Sequence, residues 1–387
     1  MPEGYDRWIS AAVIALAVYG TIMIASASMG ISVGDNASLA RTVIKQIIFL
    51  GLGFGAMIYL AKHFRITWLR SGWFTLSIVG MIAALAVCRL FTPVNGAYAW
   101  IRLPVPGIEI TIQPSEFAKI LCMMIIAAYC GDITHQYRSG WEILRRPVIF
   151  VAIYFVIIVV LQRDFGSAVV LFLITCVCIL IPNHPKLKGY QLTLKILFWI
   201  TVATAVFILS PYGRNVIENL PIEYYQKNRF LSALDPFYDK YGSSFQLISG
   251  LVSFTTGGWF GKGLGNSVRK YTNFPEANTD FILAILVEEL GFFGFLLLLA
   301  LYMVIIIHLL QYAMRIRSER ARVILVGIAM YIVIHMFFNI GGVTGMIPLT
   351  GVPLLMISAG GSSTLSFMIC MGIAQAIISA YRRGAIR

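Results

Sequence analysis

The stretch PEANTDFILAILVEELG, residues 275–291, places one acid at the entrance of a long apolar run and two more acids inside it. The run covers about residues 280–310, which exceeds the roughly 20 apolar residues that cross a hydrocarbon core. An ionisable side chain in such a span costs about 2.5–3.5 kcal/mol near its centre, so Asp280, Glu288 and Glu289 are candidates for a functional role. These residues indicate a membrane protein with charged groups at or inside its helices.

The rest of the chain has the composition of an integral membrane protein. Of its 387 residues, 59% are hydrophobic and 12% are charged, whereas soluble domains carry about 25% charged residues. This composition excludes a soluble enzyme, a disordered protein and a collagen-like fibre. Nine further apolar runs have the length of a membrane span, or nearly so, at residues 8–28, 42–61, 72–91, 113–131, 147–162, 164–182, 191–211, 322–341 and 363–381.

We therefore predict an all-α integral membrane protein with about ten transmembrane helices, forming a single domain over residues 1–387. A large extracellular loop, at about residues 212–278, separates the seventh helix from the eighth. A second outer loop, at about residues 341–363, is too rich in Gly and Pro for a helix and too apolar for solvent. We expect this second loop to be re-entrant and buried in protein.

Only Gln162-Arg163-Asp164 separates the fifth apolar run from the sixth. We predict a hairpin of two helices that turns at the membrane face, and a single long buried helix is the alternative. Residues 9–29 partly resemble a signal peptide, but their apolar part is longer than is typical, so we expect a retained first helix.

The basic residues predict the orientation of the chain. It carries 30 Lys and Arg against 17 Asp and Glu, a formal net charge of +13. Outside the large loop, most of the basic residues fall on one side of the membrane if the N-terminus is cytoplasmic, as the positive-inside rule requires. Both termini are therefore predicted to be cytoplasmic, and the basic charge is explained without nucleic-acid binding.

Polar residues cluster at the predicted outer ends of the helices. Glu116 and Lys119 are three residues apart on one helix face, which predicts either an ion pair at a helix start or the polar wall of a cavity that opens outward. Asp164 lies in the turn between the fifth and sixth helices. Five glycines surround Lys262 within residues 257–265, and they let the backbone approach a ligand closely.

The acids of the eighth span differ in their predicted positions. Thr279 is a plausible N-cap, which would put Asp280 in the first helical turn, where the helix dipole favours an acid. At about 100° per residue, Glu288 and Glu289 are rotated by roughly 80° and 180° from Asp280, so they cannot both line one groove with it. We expect at least one of them to face another helix or a partner, or to be protonated.

Together these segments resemble the SEDS family (shape, elongation, division and sporulation), the FtsW/RodA/SpoVE group of bacterial cell-wall proteins. The similarity covers nearly the whole chain, and residues 275–282 followed by Glu288-Glu289-Leu290-Gly291 are highly specific to that group. Two segments depart from its pattern. The family usually has Gln-Pro-Asp where this chain has Gln162-Arg163-Asp164, and it usually has Pro and Tyr where this chain has Leu355 and Ala359.

The resemblance implies a peptidoglycan glycosyltransferase of the bacterial cytoplasmic membrane. Such an enzyme polymerises lipid II at the outer face during cell division or elongation, with inversion and release of undecaprenyl pyrophosphate. The resemblance further implies that Asp280 is the essential acid, and that Glu116, Lys119 and Asp164 are polar cavity residues. It also implies a divalent cation (Mg or Mn) as cofactor. The implied partners are lipid II, a class B penicillin-binding transpeptidase and other divisome or elongasome membrane proteins.

This chemistry requires a base for the acceptor hydroxyl and positive charge near the departing diphosphate. We assign the base to Asp280, and the positive charge to a divalent ion, Lys119, Arg102 or a loop cation such as Lys262. Two serines at the start of the last span complete the predicted substrate-binding residues, Ser362 and Ser363.

Two other hypotheses suit the same residues. A lipid II flippase or transporter would show paired broken helices and internal symmetry, and no such repeat is visible in the sequence. An inactive scaffold for a transpeptidase is the other alternative. The histidines and cysteines show no spacing typical of a metal site.

Overall fold

The computed structural model describes residues 1–31, 36–94, 96–105, 108–133, 136–219, 224–242, 244–272 and 274–386. Helices account for most of these residues, and one short sheet interrupts them. The helices are α1 (Arg7–Ile31), α2 (Asn36–His63), α3 (Gly72–Val87), α4 (Pro114–Cys130), α5 (Gly140–Val156), α6 (Phe165–Leu180), α7 (Lys188–Ile208), α8 (Arg214–Asn219), α9 (Tyr224–Leu234), α10 (Phe245–Gly257), α11 (Ile282–Arg315), α12 (Glu319–Val343) and α13 (Gly361–Arg382). The strands are β1 (Ile101–Val105) and β2 (Ile108–Ile112).

Every apolar run predicted from the sequence coincides with a helix, and the chain is a multi-pass, predominantly helical membrane protein. Within the described ranges, eight segments are long and apolar enough to cross a membrane. Five are the helices α1, α2, α11, α12 and α13, and three are α3, α5 and α7 extended by the 3₁₀ or π turns that adjoin them, as Gly72–Leu90, Gly140–Leu161 and Pro185–Ile208. The other two predicted spans, α4 and α6, have only 17 and 16 residues. The count of ten therefore stays a prediction.

The hairpin prediction for residues 147–182 is confirmed. Helix α5 continues through one wider π-type turn, Ile157–Leu161, and α6 begins at Phe165. The side chain of Asp164 caps α6 by accepting a hydrogen bond from the backbone N–H of Ser167. Arg163, at the turn itself, has a φ of +57°, a left-handed conformation that is costly for a residue with a Cβ atom.

The conformation of Arg163 predicts the effect of placing a proline at this position. Because proline is locked near φ = −65°, Arg163→Pro cannot adopt this turn, and we expect a loss of more than about 1 kcal/mol in the free energy of unfolding. Arg163→Gly should instead gain about 1 kcal/mol, since glycine adopts positive φ freely. Thermal unfolding of both variants in detergent measures this, and a proline variant as stable as the unaltered chain would contradict the described turn.

Helix α11 is broken at Gly291, where φ is +69° and ψ is −169°. The loop that follows α10 pairs with the backbone groups freed by this break. The N–H groups of Phe292 and Phe293 donate to the carbonyls of Gly258 and Trp259, and the N–H of Lys262 donates to the carbonyl of Glu288. A broken helix is tolerated in a membrane protein when protein groups satisfy its backbone in this way.

The hairpin β1–β2 was not predicted from the sequence. Its strands are antiparallel, with Arg102 opposite Thr111, and β2 ends two residues before α4 begins. The outer loop predicted at 341–363 is shorter than expected, because α12 extends to Val343 and α13 begins at Gly361. Its central residues, Leu354–Ser358, are irregular in backbone and buried within the protein.

Candidate functional site

Asp280 lies in a turn immediately before α11, not in the first turn of the helix. The backbone N–H groups of Thr279 and Phe281 both donate to the carbonyl of Glu276, which closes the turn. The prediction that Thr279 caps α11 is wrong, because its hydroxyl donates to Glu276 instead and α11 has no side-chain cap. Asp280 is partly exposed at this position.

The loop between α12 and α13 packs against this turn. The hydroxyl of Ser358 donates to the carbonyl of Thr279 at 2.8 Å, and the N–H of Ala359 donates to the carbonyl of Asn278 at 2.9 Å. Gly351 has a φ of +72°, and a Cβ atom built on it would lie 3.6 Å from Oδ2 of Asp280. The carboxyl group therefore lies directly against the backbone of the loop.

Arg229 of α9 lies near the same glycine. Its Nη1 donates to the carbonyl of Leu349 at 2.8 Å and would lie 3.9 Å from the same Cβ position on Gly351. One carboxylate and one guanidinium thus flank the same short stretch of loop. This is the kind of arrangement that can move a proton and stabilise a developing negative charge.

The surroundings of Asp280 raise the pKa of its carboxyl group to about 7. Burial is the main cause, and the nearby carboxylate of Glu276 adds to it. Arg229 acts in the opposite direction, and the carboxylate of Asp164 contributes a further increase. A carboxyl group with a pKa near neutrality is well matched to accepting a proton at physiological pH.

The start of α6 reaches the same place with Asp164 as its N-cap, and the role of Asp164 as a polar cavity residue stays a prediction. Oδ2 of Asp164 accepts a hydrogen bond from Nε2 of Gln113 at 2.9 Å. A Cβ atom on Gly166 would lie 2.4 Å from the carbonyl oxygen of Thr350, so α6 packs tightly on the loop that carries Gly351. Only glycine permits this close approach.

Ser362 and Ser363 are buried and engaged with the backbone. The hydroxyl of Ser362 accepts from the N–H of Gln113 at 2.8 Å and donates to the carbonyl of Thr111. Ser363 donates to the carbonyl of Gly360. These bonds join the start of α13 to the start of α4, and the role of either serine in binding substrate stays a prediction.

Glu116 and Lys119 form an ion pair with a distance of 2.6 Å, and each side chain is only 1% exposed. Of the two interpretations left open by the sequence, the ion pair is observed, and neither side chain lines an open cavity. Tyr331 of α12 donates to the second carboxylate oxygen of Glu116 at 3.0 Å. Substrate binding by this pair stays a prediction, since packed helices enclose it here.

The structure does not bring Lys262 to Asp280. Its ammonium pairs with Glu288 at 3.0 Å while the lysine side chain remains 33% exposed, and Glu288 lies roughly 10 Å along α11 from the turn that contains Asp280. Arg102 is on β1, opposite Thr111. It belongs to the same end of the bundle as the start of α4, and its contact with a diphosphate stays a prediction.

Glu289 faces another helix, as expected for at least one of the two acids. Ser26 of α1 donates to it at 2.7 Å, and Lys270 pairs with it at 2.8 Å with both side chains fully buried. Glu288 accepts a hydrogen bond from the hydroxyl of Ser267 at 2.6 Å. These two acids therefore bind the loop after α10 to α11 and are not placed in a groove with Asp280.

Several residues at the site were not predicted from the sequence. Asn339 and His335 are four apart inside a predicted span, and polar residues in an apolar helix are a recognisable signal. The spacing of the histidines fits no metal site, so neither residue was among those predicted for the site. No sequence pattern singles out Arg229, because it is one of several basic residues in a long loop.

A divalent cation finds no ready-made site among the described residues, which contain no group of three or more His, Cys, Asp or Glu able to hold a metal. Mg²⁺ is commonly held by one or two carboxylates together with substrate phosphates. The residues near Asp280 therefore do not fit a cation held by protein side chains alone.

A cavity of about 280 Å³ opens beside the site. Arg229 and Phe281 border it on the side of Asp280, and it extends between α9 and α10 to Leu349. Its lining combines apolar side chains with a few polar groups, which is typical of small-molecule sites. Asp280 itself is not among the residues that line this cavity, whereas its chain neighbour Phe281 is.

Comparison with known protein families gives a match over nearly the whole chain. A family model described as a cell cycle protein, FtsW/RodA/SpoVE, matches residues 7–383. A relative from Tolumonas auensis named probable peptidoglycan glycosyltransferase FtsW is 33% identical over 382 residues, which cover 96% of this chain and 91% of the relative. A protein of the same name from Marinobacter nauticus is 32% identical over 366 residues, with 93% and 86% covered.

Solved structures share the fold. One, described as showing structural coordination of polymerization and crosslinking by a peptidoglycan synthase complex, has a TM-score of 0.71 at 22% identity over 97% of this chain and 98% of that one. The crystal structure of the rod shape determining protein RodA of Thermus thermophilus has a TM-score of 0.64 at 21% identity, with 97% of each chain covered.

Proposed function

This chain belongs to the FtsW/RodA/SpoVE family of cell cycle proteins, and from that membership we propose that it polymerises lipid II with Asp280 as the general base. Its activity is that of a peptidoglycan glycosyltransferase, the name its curated relatives carry. The observation that carries the proposal is the partly exposed carboxyl group of Asp280, which has a pKa near 7 and lies near α11, the loop before α13 and Arg229.

The proposed reaction joins two lipid-linked disaccharides. Asp280 accepts the proton from the 4-hydroxyl of the acceptor GlcNAc as that oxygen forms a bond to C1 of the donor MurNAc. The bond between C1 and the diphosphate oxygen breaks on the opposite face, so the configuration inverts and undecaprenyl pyrophosphate leaves. General base catalysis of this kind contributes about 10²–10⁴-fold to the rate.

Arg229 is the best-placed cation for the leaving diphosphate among the side chains around Asp280. Its Nη1 lies 3.9 Å and Oδ2 of Asp280 lies 3.6 Å from the same Cβ position built on Gly351, so one substrate could contact both. The sequence predicted a divalent ion, Lys119, Arg102 or a loop cation such as Lys262 in this role, and in the structure Lys119 pairs with Glu116 and Lys262 with Glu288. We propose that any divalent cation reaches the site bound to the substrate's diphosphate.

The position of the site supports catalysis at the outer face of the cytoplasmic membrane. The starts of α4, α6 and α13 and the end of α12 all meet around Asp280. Each of these helix ends lies on the outer side of the membrane in the topology predicted from the basic residues, which places both termini in the cytoplasm. A measurement of reporter fusions to each terminus tests this orientation.

The relatives and the shared fold also support a proposal about the proteins with which this chain works. The similar structure of a peptidoglycan synthase complex supports the proposal that this chain works with a class B penicillin-binding transpeptidase and other divisome membrane proteins. The relatives are named as glycosyltransferases, which favours the enzyme over the flippase and scaffold hypotheses.

The raised pKa of Asp280, about 7, predicts the pH dependence of polymerisation. Below pH 7 the carboxyl group is increasingly protonated and cannot accept a proton, so kcat/KM should fall about tenfold per pH unit and level off above pH 7. Glu276→Gln removes a negative charge that raises this pKa and keeps an oxygen for the Thr279 hydroxyl. The inflection should then move to lower pH. Rates of polymerisation of purified lipid II between pH 5 and 9 test both expectations, and a rate that rises as the pH is lowered would refute Asp280 as the base.

A further inference from the structure

Asn339 of α12 contacts both the base and the loop that faces it. Its side chain is 3% exposed. Nδ2 donates one hydrogen bond to the carbonyl of Asp280 at 2.9 Å and another to the carbonyl of Val352 at 3.0 Å. Because an amide nitrogen carries two protons, both bonds can be made at once.

His335 holds the same loop one helical turn away from Asn339. Its Nδ1 is 3.1 Å from the carbonyl of Pro353, and a carbonyl only accepts, so Nδ1 carries the proton. Nε2 is then free to accept from the ammonium of Lys119 at 3.2 Å. Residues four apart share a helix face, so one face of α12 binds two successive carbonyls, those of Val352 and Pro353.

The loop held in this way carries Gly351, which lies against Oδ2 of Asp280. The side chain of Asn339 bonds both the backbone of Asp280 and the backbone of the loop, and it therefore sets the distance between the carboxyl group and the loop. Without the amide of Asn339, the carbonyls of Asp280 and Val352 would lose a buried donor, and each would move toward water or another partner.

We propose that Asn339 is a positioning residue for Asp280, which fixes the base against the loop of Val352 by bonding both backbones with a single amide. This inference rests on the proposed function, because it concerns the base of that reaction. A misplacement of about 1 Å can cost about 100-fold in rate, so a residue that never touches substrate can control turnover from this position.

Asn339→Leu tests the proposal, since leucine has a similar volume and donates no hydrogen bond. Gln375→Leu is the matched control. Gln375 is also a buried amide that binds the backbone of one residue, donating to the carbonyl of Asp6 and accepting from its N–H, but it lies at the other end of the bundle. Both variants are compared with the unaltered chain for thermal stability and for polymerisation of lipid II across pH.

We expect Asn339→Leu to lower kcat by about 10- to 100-fold with little change in KM. The pH inflection should also move downward, because a released Asp280 becomes better hydrated while Glu276, Asp164 and Arg229 remain around it. Gln375→Leu should keep both kcat and the inflection, whatever it does to stability. A purely structural role for Asn339 would lower the amount of folded protein and leave the inflection unchanged.

An Asn339→Leu protein with the kcat and pH profile of the unaltered chain would overturn the proposal. If the leucine variant fails to reach the membrane, Asn339→Ala is judged by the same two measurements. Failure of the proposed function gives a different result. An unaltered chain that makes no polymer, or whose rate shows no pH inflection, would contradict the role of Asp280 as the base, whatever the Asn339 variants do.

Discussion

Purified Asp280→Ala protein is expected to make at least about 100-fold less glycan polymer from lipid II than the unaltered chain. The substitution removes the only group proposed to take the proton from the acceptor hydroxyl. It leaves the fold intact, because Asn339 and Ser358 bind the backbone carbonyls of this turn and make no use of the carboxyl group.

Two further variants serve as comparisons in this experiment. Asp280→Asn keeps the size of the side chain and removes its basicity, so it should be as inactive as the alanine variant. Asp235→Ala removes another acid of the segment between α7 and α11, one that bonds only the nearby N–H of Phe237 among the contacts described, and it should polymerise normally. Substantial polymer from Asp280→Asn would show that some other group is the base.

The second large effect concerns stability and the ion pair between Lys270 and Glu289. Both side chains are fully buried, and Lys270→Met would leave the carboxylate of Glu289 without its counter-charge. Breaking a buried pair by removing one partner typically costs about 3–5 kcal/mol. We expect a loss of that size in the free energy of unfolding, measured by denaturant titration in detergent.

The neighbouring pair of Lys262 and Glu288 supplies the matched control. The lysine of this pair is 33% exposed, and Glu288 keeps hydrogen bonds from Ser267 and from the N–H of Val268. Lys262→Met should therefore cost only about 1 kcal/mol, as for partly solvated pairs. Equal losses in the two methionine variants would mean that the burial of Lys270 does not govern its contribution.

The sequence predicted the helices, the hairpin between α5 and α6, the irregular loop before α13 and the placement of Asp280 at the entrance of α11. These features depend on local pattern. An apolar run in lipid must satisfy its own backbone hydrogen bonds and so becomes a helix. Gly or Pro residues close together in the sequence mark the places where a helix is interrupted.

The sequence did not predict the neighbours of Asp280. Arg229 and Asn339 lie about 50 and 60 residues from it in the chain, on opposite sides, and meet it only when α9, α12 and the loop of Gly351 pack together. Lys262 was expected near the leaving diphosphate, yet its loop binds the break at Gly291 and turns the lysine toward Glu288.

Sequence alone thus determined that this is a helical membrane protein with an acid at the mouth of one span, because membrane burial acts on each segment separately. Only the tertiary structure decided which polar groups surround that acid and which, like Glu116 and Lys119, are enclosed between helices. The rotation of each helix about its axis follows from packing against all of its neighbours at once, and no local pattern contains that information.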